Sequence, residues 1–191
     1  IETSPCWFHV VDLIFAQISR MPAISELHRK MLMFISLFKR SFFKERLGYS
    51  NEYPCETRKS SIFDSLKSLL EHREALSTFF FRVDAMERYF RTHKNIETEF
   101  SNLVNMCTPQ LFYDLDIILR IVKPLMELQK VVQGAFFRYE LILTLQQTLS
   151  KMREVVVNDN AWKNVQTDIY QTVLDKVRQW TSEAVYLSYL L

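Results

Sequence analysis

Pro54-Cys55-Glu56-Thr57-Arg58-Lys59-Ser60-Ser61-Ile62-Phe63-Asp64-Ser65-Leu66-Lys67-Ser68-Leu69-Leu70-Glu71 reads as a polar lead, a basic pair and an amphipathic helix. Ile62, Phe63, Leu66, Leu69 and Leu70 recur at the spacing of one helical face. Ser61 with Asp64 fits the capping-box pattern, in which short polar side chains satisfy the orphan N–H groups of a first turn. Arg58 and Lys59 stand just before this helix, so their charged heads can reach out of the core. By base rate a basic pair on a loop is simply solvated. A phosphate contact is the alternative, and only the neighbouring segments can lend it weight.

The composition agrees with a helical fold. The chain has 191 residues, of which 48% are hydrophobic and 14% aromatic, with 15 Phe. That suffices for a sizeable core and is unlike a disordered segment. Only two Gly and five Pro are present, and sheets joined by tight turns ordinarily need more of both. The net charge of +2 is weak, but its distribution is uneven. Residues 20 to 67 carry ten Lys/Arg against five Asp/Glu, a local +5 that leaves −3 for the remainder. A basic first third suits an anionic partner. Cys6, Cys55 and Cys107 are odd in number and widely spaced, which argues for reduced thiols and an intracellular setting. No apolar run reaches the length of a membrane span. The chain starts with Ile and stops at Leu190-Leu191 inside an apolar run, as expected for one helical domain, residues 1–191, cut from a longer protein.

Periodicity predicts seven or eight helices. The first spans Trp7 to Ser19, with Val10, Val11, Ile14 and Ile18 inward, and Met21-Pro22 ends it. A second runs from Ala23 to Arg46, with Leu27, Met31, Phe34, Phe38 and Phe42 in one stripe. Arg29, Ser36, Arg40 and Lys44 gather on another face of that helix. An internal loop occupies 47–56. The helix after Ser61 continues or restarts through His72 to Phe90, with Leu76, Phe79, Phe80, Val83 and Met86 apolar. A break at Thr92 to Asn95 precedes a short helix ending near Met106, capped by Asn95 or Thr98. Thr108-Pro109 is a strong helix start, and that helix runs to Gln133 before Gly134, with a kink expected at Pro124. Phe136 to Val157 and Ala161 to Leu190 complete the set, separated by the turn and cap Asn158-Asp159-Asn160, with Val165, Ile169, Val173, Leu174 and Val177 inward on the last.

Catalytic motifs are missing from the sequence. There is no Gly-rich phosphate loop, HExxH, CxxC or GxSxG. Asp114 and Asp116 are two apart and point to different sides of a helix, which suits solvated carboxylates better than a catalytic pair; Glu97 and Glu99 read the same way. Cys6 and His9 form the one metal-like spacing, but a structural zinc needs about four ligands. His28, His72 and His93 are isolated, so no metal or other cofactor is expected to bind this chain.

In this order the segments resemble the α-helical insertion region of hAT-superfamily DNA transposases and their domesticated relatives, the zinc-finger BED-type proteins. Cys6, His9 and the following Val10-Val11-Asp12-Leu13-Ile14 correspond to a Cys-x-x-His and apolar helix of that family. Thr57-Arg58-Lys59-Ser60-Ser61 is similar to a Thr-Arg-Trp-x-Ser motif, and Leu69-Leu70-Glu71-His72-Arg73 to the Leu-Leu-Glu-x-Arg helix end after it. Ile118-Leu119-Arg120-Ile121-Val122-Lys123-Pro124-Leu125 looks like a later family helix, and Ser182 to Leu191 approaches a closing Ala-x-x-Leu-Asp-Pro-like stretch. The resemblance implies an insertion into a ribonuclease-H-like core whose Asp-Asp-Glu triad holds two divalent metals, such as magnesium. It places that triad, the BED finger and the dimerisation segment outside this chain. Two-metal chemistry needs those carboxylates, so the chain is expected to be catalytically silent, in a nuclear protein that contacts DNA and forms homo-oligomers through other regions. One departure is Lys59, where the family has Trp; Lys offers charge to phosphate but no stacking face.

Two readings follow. In one, Arg58, Lys59, Arg29, Arg40 and Lys44 contact the DNA backbone. In the other, the chain is a helical protein–protein interaction module that binds no nucleic acid.

Overall fold

The structure, a computed structural model, describes residues 7–40, 43–45, 53–55, 58–81, 90–91, 93–132 and 138–180. Among them the fold is all-α, with no strand and eight helices of nine residues or more: α1 Trp7–Ile18, α2 Pro22–Phe38, α3 Ser61–Glu71, α4 Arg73–Phe81, α5 Lys94–Met106, α6 Pro109–Val132, α7 Arg138–Glu154 and α8 Asn160–Trp180. They divide into two compact units, one drawn from residues 1–24, 56–60 and 117–191, the other from 25–55 and 61–116.

The first unit is built on α1. Val10, Val11, Ile14, Phe15 and Ile18 are buried along it, and α1 packs against α8, which contributes Ile169, Val173 and Val177. Each such aliphatic or aromatic side chain stabilises by about 1.5–3 kcal/mol when fully buried. The α7 helix stops at Glu154, short of the expected Val157. Val155-Val156-Val157 is a β-branched run with low helix propensity. The Gln166 side chain of α8 donates to the carbonyls of Met152 (2.9 Å) and Val155 (3.0 Å), satisfying groups that a continuing helix would have bonded. Asp159 then caps α8 as expected, its Oδ1 accepting from the Trp162 N–H at 3.1 Å.

The second unit is organised by phenylalanine. Phe34 and Phe38 of α2, Phe79 and Phe80 of α4, Phe100 of α5, and Phe43 and Phe90 form one connected set of rings with centroids 5.1–6.1 Å apart. Here α2 departs from its expected course by ending at Phe38 and not at Arg46. The Arg40 N–H bonds the Leu37 carbonyl, and the Arg40 carbonyl accepts from the Phe43 and Lys44 N–H groups. This tightened turn brings Phe43, fully buried, against Phe79 and Phe100. Packing of a distant aromatic has overridden the continuous stripe.

The helix after Ser61 breaks at His72, whose Nδ1 lies 2.8 Å from the Ser68 carbonyl, and restarts at Arg73, with α3 packed on α4. Ser61 is the first helical residue and not a cap; its hydroxyl accepts from the Cys55 N–H at 2.8 Å and donates to the Cys55 carbonyl at 3.3 Å. The short helix begins at Lys94 with His93 in the cap position, so neither Asn95 nor Thr98 caps it. Thr108 does cap α6, accepting from the Leu111 N–H at 3.3 Å, and the helix continues through Pro124. Phe42, Arg46, Val83, Met86, Gly134, most of 47–56 and everything after Trp180 lie outside the described residues.

Candidate functional site

Arg58 and Lys59 belong to the first unit. Arg58 is exposed and Lys59 half-buried, and the Lys59 backbone N–H donates to Asp12 Oδ1 of α1 at 2.9 Å. That bond joins residues 47 apart and fixes the basic pair to the first helix. A hydrogen bond to a charged group contributes about 1.5–3 kcal/mol, about the cost of ordering the backbone of one or two residues.

Arg29, Arg40 and Lys44 belong to the second unit. Arg29 grips Glu26 through both carboxylate oxygens, at 2.8 and 2.7 Å, and Lys30 stands 3.8 Å from the same carboxylate. The Arg29 hydrogen bonds hold Glu26 below the ordinary carboxylate range, and the same pairing raises Arg29. Arg40 meets Glu99 at 2.7 Å across 59 residues. Lys39 lies 4.0 Å over the Tyr53 ring, and Lys67 pairs with Glu71 at 3.5 Å. Of the excess of five read between residues 20 and 67, Glu99 and Glu71, which lie outside that range, offset two charges, and Lys39 meets a ring face, while Lys44 is exposed.

A second basic surface lies in the first unit and was not singled out from the sequence. Arg120, Lys123 and Glu127 of α6 line an open groove with Pro124, with Lys151 of α7, and with Val155 and Val156 beyond it. Lys151 reaches Glu127 at 3.5 Å. Arg120 and Lys123 lie within the family-like stretch quoted above, but Lys151 joins them only through the packing of α7, so periodicity alone could not have found the group.

His9 is exposed on the first turn of α1, and Cys6 lies outside the described residues. Among the described residues no three His, Cys, Asp or Glu side chains are grouped to hold a metal ion. The half-buried Asp114 accepts from Gln110 at 2.8 Å, and Asp116 is exposed. Cys107 is half-buried; burial pushes its thiol from about 9 up to about 11, with a hydrogen bond from Ser77 opposing the shift. Such a thiol is held in its protonated form at neutral pH. No described helix is long and apolar enough to cross a membrane. No protein family, curated protein or solved structure matches this chain.

Proposed function

We propose that this chain is the helical insertion region of an hAT-type transposase or a domesticated derivative, nuclear, contributing phosphate-backbone contacts to DNA and carrying out no strand chemistry itself. The observation behind this reading is the bond from Lys59 N–H to Asp12 Oδ1 at 2.9 Å. It joins two of the stretches on which the resemblance rests, the helix after His9 and the Thr57–Ser61 motif. Residues 56–60 and 117–191, which include Ile118–Leu125, fall in the same compact unit as residues 1–24, while the Leu69–Arg73 stretch falls in the other unit. Segments remote in sequence but grouped in space are what a shared functional surface requires.

Backbone contacts position a protein on DNA and carry no base code, so binding should be weak in sequence preference and steep in salt. The test is titration of the chain against fluorescent duplex and hairpin DNA at several salt concentrations. Each phosphate contact adds about 0.9 to the log–log salt slope, so Arg58→Ala with Lys59→Ala should flatten it by about 1–2. Lys59→Trp should favour hairpin ends over plain duplex, since stacking on an unpaired base is worth about 1–3 kcal/mol. The protein-interaction reading draws support from Arg29 and Arg40, which are engaged by Glu26 and Glu99. Absence of DNA binding at low salt would select it.

A further inference from the structure

We infer that Asp12 is a positioning residue for the DNA contact of Lys59, an assignment that rests on the DNA-contact reading above and adds to it a residue that is not a cation. By charge alone, a carboxylate beside a phosphate contact weakens that contact. The geometry gives Asp12 the opposite effect. Its Oδ1 accepts from the Lys59 backbone N–H at 2.9 Å, so the carboxylate holds the main chain and leaves the ammonium uncommitted. Among the described residues Lys59 forms no ion pair. Arg29 and Arg40 show the other arrangement, in which Glu26 and Glu99 take the guanidinium heads themselves.

Asp12 suits this task because its own position is fixed. It lies between Val11 and Ile14 on α1, both fully buried in the first unit, where α1 packs against α8. An aspartate side chain is short, so its carboxylate stays close to that rigid backbone. Lys59 and Ser60 form a turn, and both belong to the same compact unit as Asp12. A turn makes few hydrogen bonds of its own, so an acceptor supplied by a packed helix decides where it sits. Holding the turn in place before DNA arrives lowers the ordering cost of binding. Lys59 is half-buried, so water can reach its N–H once the acceptor is gone. Loss of the bond therefore falls on the position of the turn and not on the core.

The experiment separates the acceptor from the charge. Asp12→Ala and Asp12→Asn remove the same charge, but Asn retains an Oδ1 that accepts from Lys59. Each variant of the 191-residue chain is titrated against fluorescent duplex DNA at several salt concentrations, with a circular dichroism melt and amide hydrogen exchange of Lys59 by NMR. Asp12→Asn should keep the Lys59 amide protected and tighten binding about two- to threefold at low salt, the effect of one charge at about 6–8 Å in water. Asp12→Ala should speed exchange of that amide about tenfold or more. It should also weaken binding about three- to tenfold, as the binding-competent fraction of the turn falls to about a third to a tenth. Asp12→Leu, which keeps the bulk and has no acceptor, should behave as Ala does and replaces it if that variant is unfolded. A purely structural role would lower the melt and leave DNA binding by the folded variants unchanged. If Ala and Asn alter binding alike, Asp12 acts through its charge only; the positioning role is overturned and the DNA reading stands. An unprotected Lys59 amide in the parent overturns the role as well. If the parent binds no DNA at low salt, the reading beneath it fails and the positioning role fails with it.

Discussion

Replacing Phe100 by Ala should destabilise the second unit more than any single charge change on its surface. Phe100 is 3% exposed, and its ring centroid lies 5.1 Å from Phe90, 5.2 Å from Phe80, and 6.1 Å from both Phe43 and Phe79. It is the ring through which α5 joins the aromatic cluster of α2 and α4. A buried Phe→Ala change costs about 3–5 kcal/mol, because the lost transfer energy is joined by the cavity left behind. In a protein of this length that corresponds to a fall in Tm of about 8–16 °C. Phe100→Leu retains most of the apolar volume but loses the ring–ring contacts, and should cost about 1–2 kcal/mol. The measurement is a urea titration followed by far-ultraviolet circular dichroism, comparing midpoints at constant m value. All three Trp of the chain fall within the first unit's residue ranges, so tryptophan emission in the same titration follows that unit. A loss below about 1 kcal/mol for Phe100→Ala, or equal losses for Ala and Leu, would refute the cluster as the organising element.

Gln129 is 6% exposed, and its side-chain nitrogen finds no hydrogen-bond partner among the described residues. Gln129→Met keeps the shape and removes the buried amide, so it should raise stability by about 1–2 kcal/mol in the same urea titration; a loss of stability would show that the amide is satisfied in solution. Cys107 should react with iodoacetamide at least about tenfold more slowly than the exposed Cys55 at about pH 8, because little of it is thiolate there. Peptide mapping by mass spectrometry separates the sites, and equal rates would contradict the burial. Linkage gives the sign for stability. The native state holds the Cys107 proton more tightly than the unfolded chain, so this contribution is complete below about pH 9 and is lost as pH rises toward about 11.

What the sequence settles by itself is local. Apolar residues at helical spacing, two Gly in 191 residues, and the starts at Thr108-Pro109 and Asp159 define an all-α chain, since helical bonds and caps join residues three or four apart. The Glu26–Arg29 pair is equally local, and its spacing could have shown that Arg29 is engaged. Where α2 and α7 end was not legible, because Phe43 meets rings from other helices and Gln166 takes the α7 carbonyls from α8. The candidate site divides in the same way. The charge of Arg58 and Lys59 is written in the sequence, but the bond that fixes them to Asp12 spans 47 residues. Whether a cation is available to a partner depends on which carboxylate the fold sets beside it. Arg40 meets Glu99 across 59 residues, and Lys151 meets Glu127 across 24. Coulomb energy depends on separation in space, and only the packing of the helices sets that separation.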